Sequence, residues 1–293
     1  MSINHRSTHT STNTGTSSGF GRRLVTSALR RGDRVIATAR TSEKLEALAA
    51  SCDPKVRHNL HTLQLDVTEG EAALRAKTDE AAAVWGQIDV LVNNAGVGYH
   101  SILEEGGSAH LRKQFEPNVF GMVDMTVAAL PHLRASKDAL MVILGSRSGW
   151  RTIPGIGPYA ASKAAVHSLT ETLSAELAQF NIRVLLVAPG SFRTEGIYAQ
   201  AFNTQNPIAA YDAMRQTSAS RNQAVAGNEK GDPDKAMEAV IDVVRGEGVA
   251  KGRTWPGYLV LGEDAEHDVR AQCNKILKAL DEWKDVSCGV NFD

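Results

Sequence analysis

Cysteine is scarce in this chain: three residues in 293, Cys52, Cys273 and Cys288, with no CxxC pair and no metal-ligand spacing. An odd count without pairing motifs argues against a disulfide framework or a zinc module and suits a reducing compartment. Long apolar runs are also lacking. Those present fall far short of the roughly 20 residues that cross a bilayer, and no signal-peptide apolar region follows the start. Charge of one sign is missing too: 32 Lys and Arg face 33 Asp and Glu for a net charge of -1, with no block of like charges. That removes the sequence-wide case for nucleic acid or an acidic membrane as partner and leaves a small molecule. Of the nine histidines, His5, His9, His58, His61, His100, His110, His132, His167 and His267, only His5 and His9 stand at H-x-x-x-H spacing, in the polar N-terminus and without an H-E-x-x-H motif. Surface or hydrogen-bonded roles, and no metal site, are expected for them.

What remains is a 42% hydrophobic, 22% charged chain with material for one large core. Apolar strand patterns at 34–38, 60–66, 88–92, 140–144, 182–187 and 258–261 alternate with helical patterns. The helices are expected at 42–50 (capped by Ser42), 71–85, 108–116, 119–133, around Tyr159, 233–245 and 265–283. Such alternation predicts a single α/β domain, a doubly wound parallel sheet with helices on both faces. Residues 190–232 break the pattern with Asn, Gln, Gly and Ser and scattered Tyr198, Phe202, Ile208, Tyr211 and Met214. This stretch is expected to be a substrate lid or a poorly ordered loop. The domain proper runs over 14–262, between a polar N-terminus at 1–13 and a helical extension at 263–293.

Two constellations carry chemistry. Tyr159 and Lys163 lie four apart in an Ala-rich helical run, so both project from one helix face. Ser146 lies thirteen residues before Tyr159, at the end of the strand pattern 140–144. Hydroxyl, phenol and ammonium can therefore meet one carbonyl carbon, and a nearby cation favours the phenolate of a tyrosine whose ordinary pKa is about 10. Ser148 is a rival for the serine role, but its spacing to Tyr159 is eleven. The second constellation is Thr14-Gly15-Thr16-Ser17-Ser18-Gly19-Phe20-Gly21, a glycine-rich turn running into a helical pattern. Glycines there let a phosphate approach free N–H groups at a helix N-terminus. Asp66-Val67 and Asn93-Asn94-Ala95-Gly96 follow successive strands, at the edge where open parallel sheets bind ligands.

Together with Asn118 and Pro189-Gly190 to Thr194, these residues resemble the short-chain dehydrogenase/reductase family, over nearly all of the chain from Thr14 to about Gly262. The resemblance implies a Rossmann-like fold and hydride exchange between a nicotinamide dinucleotide and a carbonyl/alcohol pair. It implies that Ser146 orients the substrate, Tyr159 exchanges the proton, Lys163 holds the nicotinamide ribose and lowers the Tyr pKa, and Asn118 holds a water on the proton path. Gly15, Ser17, Ser18, Gly19, Phe20 and Gly21 would surround the phosphates. Asp66 and Val67 would contact adenine, and Asn93, Ala95 and Gly96 would support the cofactor. Pro189, Gly190, Phe192 and Thr194 would line the nicotinamide side. The end of the chain commonly contributes subunit contacts in this family, so a homo-oligomer stays open.

Charge addresses cofactor choice. An acidic residue ending the second strand grips an adenosine 2′-hydroxyl, whereas a 2′-phosphate needs a cation. Here the strand ends Ala37-Thr38-Ala39-Arg40, with no carboxylate until Glu43. NADP(H) is therefore expected over NAD(H). Arg22 and Arg23 lie near the phosphates or face solvent.

One segment breaks the family pattern. Where an apolar central strand should precede the glycines, the chain has Arg6-Ser7-Thr8-His9-Thr10-Ser11-Thr12-Asn13. Burying unpaired hydroxyls costs about 1–3 kcal/mol each. A polar strand satisfied by hydrogen bonds, a weakened core and an altered N-terminus in the recorded sequence compete, and the last is favoured because the pattern is intact from Thr14. The Ser/Thr/Arg composition also fits a transit peptide, but cleavage there would damage the glycine turn, so the cytoplasm is the expected location. Trp150 is expected to roof the substrate pocket or pack against the lid. Two other functions are kept: a dinucleotide-binding protein with impaired catalysis, motivated by the polar N-terminus, and lyase or epimerase chemistry with the same Tyr/Lys pair.

Overall fold

The computed structural model describes residues 8–195 and 200–292. Expectations touching His5, Arg6, Ser7 and Tyr198 lie outside the described residues. Seven strands form one parallel sheet in the order β3-β2-β1-β4-β5-β6-β7. They are β1 (Thr10–Asn13), β2 (Arg34–Ala39), β3 (Leu60–Gln64), β4 (Val90–Asn93), β5 (Leu140–Leu144), β6 (Arg183–Pro189) and β7 (Tyr258–Leu261). Helices α1 (Gly19–Arg30), α2 (Ser42–Ser51), α3 (Glu71–Trp85), α4 (Leu103–Phe115), α5 (Gly121–Ala135) and α6 (Gly157–Leu177) connect the first six strands. After β6 come α7 (Asp212–Val225) and α8 (Pro233–Arg245), and after β7 come α9 (Glu263–Glu282) and α10 (Lys284–Cys288).

Strand β5 shows why the sheet is covered on both faces. All five of its residues are buried, and they alternate: Leu140, Val142 and Leu144 join a core with α1, α2 and α8, while Met141 and Ile143 join one with α3, α5 and α6. A strand buried on both sides reads as a continuous apolar run, which is what made it visible. Among the described residues no helix is long and apolar enough to cross a membrane.

The polar N-terminus forms the first strand. Thr10–Asn13 is a central strand, in parallel register with β2 (Thr12 opposite Ile36) and β4 (Thr12 opposite Leu91). All four of its residues are buried. Partial satisfaction makes this tolerable. Asn13 Nδ2 donates to Ser11 Oγ at 3.2 Å, Thr38 Oγ1 donates to the Asn13 carbonyl at 3.1 Å, and the Thr10 N–H donates to Asp89 at 2.8 Å. Thr10 Oγ1 and Thr12 Oγ1, on the opposite face, are buried without a partner. The sheet therefore includes residues that the sequence pattern had left outside the domain.

Three smaller corrections follow. Residues 190–232 are not irregular throughout, since they contain α7, which buries only Ser218 and so shows no apolar stripe in sequence. Polar contacts hold that region down instead. Arg215 Nε donates to Glu105 at 3.0 Å, the Ile208 N–H to Glu105 at 3.0 Å and the Asn203 N–H to the His100 carbonyl at 2.8 Å. Helix α2 is preceded by Thr41 rather than capped by Ser42, and no side-chain cap bond forms. Trp150 packs against His167 (ring centroids 4.2 Å apart) and Tyr258 (6.3 Å), not over the pocket.

Candidate active site

The carboxyl ends of β1, β4, β5 and β6 open on one cavity of about 1540 Å³. At its floor the glycine turn leaves β1. Gly15 has φ +66°, and a Cβ there would come within 2.8 Å of Ala95 Cα; one on Gly21 would come within 2.4 Å of the Gly15 carbonyl oxygen. Only glycine lets turn, helix and strand end approach this closely. Thr14 and Asn94 lock the turn to β4. Thr14 Oγ1 accepts from the N–H groups of Asn94 and Ala95 at 3.0 and 2.9 Å, and Asn94 Nδ2 donates to the carbonyls of Thr14 and Gly15 at 2.8 and 3.0 Å.

The start of α1 behaves as an anion site. Glu195 places its carboxylate there, accepting from the Gly19 N–H at 3.0 Å, Arg22 Nη2 at 2.9 Å and Arg23 Nη1 at 3.0 Å. The Arg23 hydrogen bond above all pushes Glu195 down to about 2. Helix N-terminus and guanidinium groups thus already hold a negative charge. The far end of the cavity is bounded by Arg40, Lys44, Asp66 and Val67. Asp66 is engaged locally, its Oδ1 accepting from the Thr68 N–H at 3.0 Å and hydroxyl at 2.9 Å.

At the centre stand Ser146, Tyr159 and Lys163, all on the cavity wall. Lys163 is buried and donates from Nζ to the Leu144 carbonyl at 2.7 Å, with Nζ 5.9 Å from the centroid of the Tyr159 ring. Loss of solvation lowers its pKa to about 8. Ser146 Oγ accepts from the Ser148 N–H at 3.1 Å. Asn118 lies in a π-helical turn between α4 and α5 (Glu116–Phe120), the kind of irregularity often found at functional sites. Its Oδ1 accepts from the Val97 N–H at 2.9 Å, and its Nδ2 donates to the Val97 carbonyl and to Ser162 Oγ, each at 3.0 Å. A Cβ on Gly96 would lie 3.2 Å from Asn118 Oδ1 and 3.7 Å from Lys163 Nζ, so the structure brings these two together.

Most of the other residues singled out in the sequence reach the same cavity: Gly15, Ser17, Ser18, Gly19, Phe20, Ala95, Gly96, Pro189, Gly190, Phe192 and Thr194 all border it. Gly21 supports the turn from behind, and Asn93 turns inward, donating to Thr126 Oγ1 at 2.8 Å.

The matches with known proteins agree with this geometry. The model of the short chain dehydrogenase family matches residues 12–204. The chain belongs to the short-chain dehydrogenase family. It is thereby an oxidoreductase of that family. An uncharacterised oxidoreductase of Bacillus subtilis, YusZ, is 34% identical over 231 residues, 78% of this chain and 81% of its own length. An NADPH-dependent 3-dehydrocapnine reductase of Ornithobacterium rhinotracheale is 34% identical over 202 residues, 67% of this chain and 69% of its own. A crystal structure of a short-chain dehydrogenase from Streptomyces avermitilis superposes with a TM-score of 0.84 at 33% identity, covering 98% of this chain and 100% of that one.

Several site residues escaped the sequence. Asp264, in the first turn of α9, accepts from the Ser191 N–H at 3.0 Å and pairs with Arg147 at 2.7 Å, while Asp268 pairs with Arg147 at 3.0 Å and Arg151 at 3.3 Å. The final long helix is therefore wired into the loops after β5 and β6. No local pattern announces a contact between residues so far apart in the chain. His100 is buried beside the pocket, where loss of solvation lowers its pKa. His167 is treated below.

Proposed function

We propose that this chain is an NADP(H)-dependent oxidoreductase that interconverts a carbonyl and an alcohol, with Tyr159 as the proton-transferring group. The observation that carries the reading is the convergence of Lys163 and Gly96 with Tyr159 on the cavity that the glycine turn opens, with Asn118 buried directly against Gly96. The turn fits a dinucleotide: its glycines let the turn, the start of α1 and the end of β4 close up more tightly than a Cβ would allow, and its helix terminus already attracts a carboxylate. When bound, the nicotinamide supplies hydride chemistry. The protein's own groups do the rest. Ser146 hydrogen-bonds the substrate oxygen, and Tyr159 gives that oxygen a proton in the reducing direction and takes one in the other. The Lys163 ammonium stabilises the phenolate left behind. Asn118, gripping the Val97 peptide through both side-chain atoms, keeps the wall beside Lys163 fixed.

The preference for NADP(H) is supported by Arg40 and Lys44 at the cavity end that follows β2, with no carboxylate on that strand. It is also supported by the NADPH named for the Ornithobacterium relative. A cytoplasmic location is supported by the three unpaired thiols, Cys52, Cys273 and Cys288.

The test is to follow oxidation of NADPH and NADH at 340 nm across a panel of ketones and aldehydes. NADPH consumption with at least one class, well above that with NADH, is expected. Tight NADPH binding with no consumption across the panel refutes the reading, and interconversion of a substrate without net cofactor consumption points to epimerase or lyase chemistry instead.

A further inference from the structure

The backbone N–H of Ser146 has an unusual partner. β5 ends at Leu144, and the Gly145 N–H makes the last rung to β6, donating to the Val187 carbonyl at 2.8 Å. Ser146 is extended (φ -171°, ψ 149°) and beyond the ladder. Its N–H donates to Nε2 of His167 at 3.3 Å.

We propose that His167 is a positioning residue that holds Ser146 toward the substrate by accepting its backbone N–H. The proposal rests on the role given to Ser146 above. Tyr159, Lys163 and His167 follow one another at four-residue spacing on α6, so they share one helix face. Lys163 grips the Leu144 carbonyl at 2.7 Å, and His167 grips the Ser146 amide one turn further on. The helix that carries the tyrosine thus sets the register of the serine as well.

The surroundings are built around the ring. A Cβ on Gly145 would lie 2.5 Å from His167 Nε2, and one on Gly149 would lie 2.4 Å from Cε1. The glycines on either side of Ser146 therefore clear the space the imidazole fills, and Trp150 closes it. An Nε2 that accepts an N–H carries a lone pair, so the ring is neutral with its proton on Nδ1. Burial and the neighbouring Lys163 ammonium push His167 down to about 4, which keeps it an acceptor near neutrality. Nδ1 itself is buried with no hydrogen-bond partner. A residue that merely filled space would not bring a buried polar atom to this place.

The experiment uses the full chain with the best substrate from the carbonyl panel, measuring kcat, KM and, separately, NADPH affinity by fluorescence. His167→Gln puts an amide oxygen near the Nε2 position; His167→Leu fills the space without an acceptor. His167→Leu is expected to lower kcat about tenfold with NADPH affinity within about twofold, and His167→Gln to recover to within about threefold of the parent. Placed on Ser146→Ala, His167→Leu should add less than about twofold, because its effect passes through the serine. Equal loss in the Gln and Leu variants, a full repeat of the loss on Ser146→Ala, or parallel loss of cofactor binding overturns the proposal alone. Full turnover in Ser146→Ala overturns the Ser146 reading and this proposal with it. Long-range ¹⁵N–¹H spectra of the unmodified protein at pH 7 should show the Nδ1–H tautomer for His167. The Nε2–H tautomer overturns the proposal whether or not the variants fold.

Discussion

Replacing Thr12 by Val, and then Thr10 and Thr12 together, should make the protein more stable. Both are fully enclosed, at 1% and 0% exposure, and neither hydroxyl has a partner. Thr12 stands between Ile36 and Leu91, on the face whose core is formed with α3, α5 and α6. Valine keeps the β-branched shape the strand favours and exchanges an unsatisfied hydroxyl for a methyl group. Relief of desolvation and the added apolar burial come to about 1–2 kcal/mol per site. For a chain of this size the double variant should melt roughly 4–8 °C higher, read by circular dichroism or calorimetry at one fixed scan rate. Ser11→Ala is the control. Its hydroxyl accepts from Asn13 Nδ2 at 3.2 Å and faces the other core, so its removal should bring no gain. NADPH affinity should change little in any of these variants. An unchanged or lower melting temperature for Thr10→Val/Thr12→Val would refute the argument, showing that those hydroxyls are satisfied or that the strand is not where it is described.

The remaining expectations concern charge and α7. Arg40→Ala should weaken NADPH roughly 10- to 100-fold, the worth of a charge-assisted phosphate contact, while barely touching NADH; equal loss of both in fluorescence titrations would contradict the 2′-phosphate argument. Lys163→Met should abolish turnover yet raise the melting temperature at pH 7, because a buried ammonium is removed. Its depressed pKa has a definite sign. The stability it contributes is complete above the unfolded value near 10.5 and is lost as pH falls through about 8. Urea titrations should therefore show the parent gaining stability on Lys163 between about pH 8 and 10, a gain missing from Lys163→Met. Arg215→Met, which strips Glu105 of the guanidinium partner that α7 supplies, should raise substrate KM several-fold with NADPH affinity unchanged; an unchanged KM would show that α7 does not bound the substrate.

Much of this was legible in the sequence, for physical reasons. β5 was plain because a doubly buried strand must be apolar at every position. α3 and α8 lie where the alternation of strand and helix patterns placed them, at 71–85 and 233–245; Asp232, not singled out in the sequence, caps α8 by accepting from the Asp234 N–H at 2.9 Å. Tyr159 and Lys163 were found because a fixed spacing on a helix is a local property. β1 was left among three readings because polarity is a sound argument against a central strand only when its hydrogen bonds cannot be met, and the Asn13–Ser11 and Thr38–Asn13 bonds meet part of them from within the strand and from its neighbour. The reading of a binding protein with impaired catalysis was motivated by the polarity of this strand, which takes its place in the sheet with two of its hydroxyls unpartnered. α7 was missed because an ion pair to Glu105 and a tyrosine bond to Glu104 (2.7 Å) hold it down instead of an apolar stripe. Asp264 and His167 were invisible because their roles depend on contacts between distant segments, and a lone histidine on a helix carries no signal of what it faces.

The central claim is that Tyr159 moves the proton while the dinucleotide is held independently of it. Tyr159→Phe tests this most directly, by fluorescence titration with NADPH beside turnover of the same preparation. The account predicts NADPH affinity within about twofold of the parent and turnover reduced by at least about 10²-fold, the effect of losing a positioned acid. Turnover that survives the substitution would contradict it.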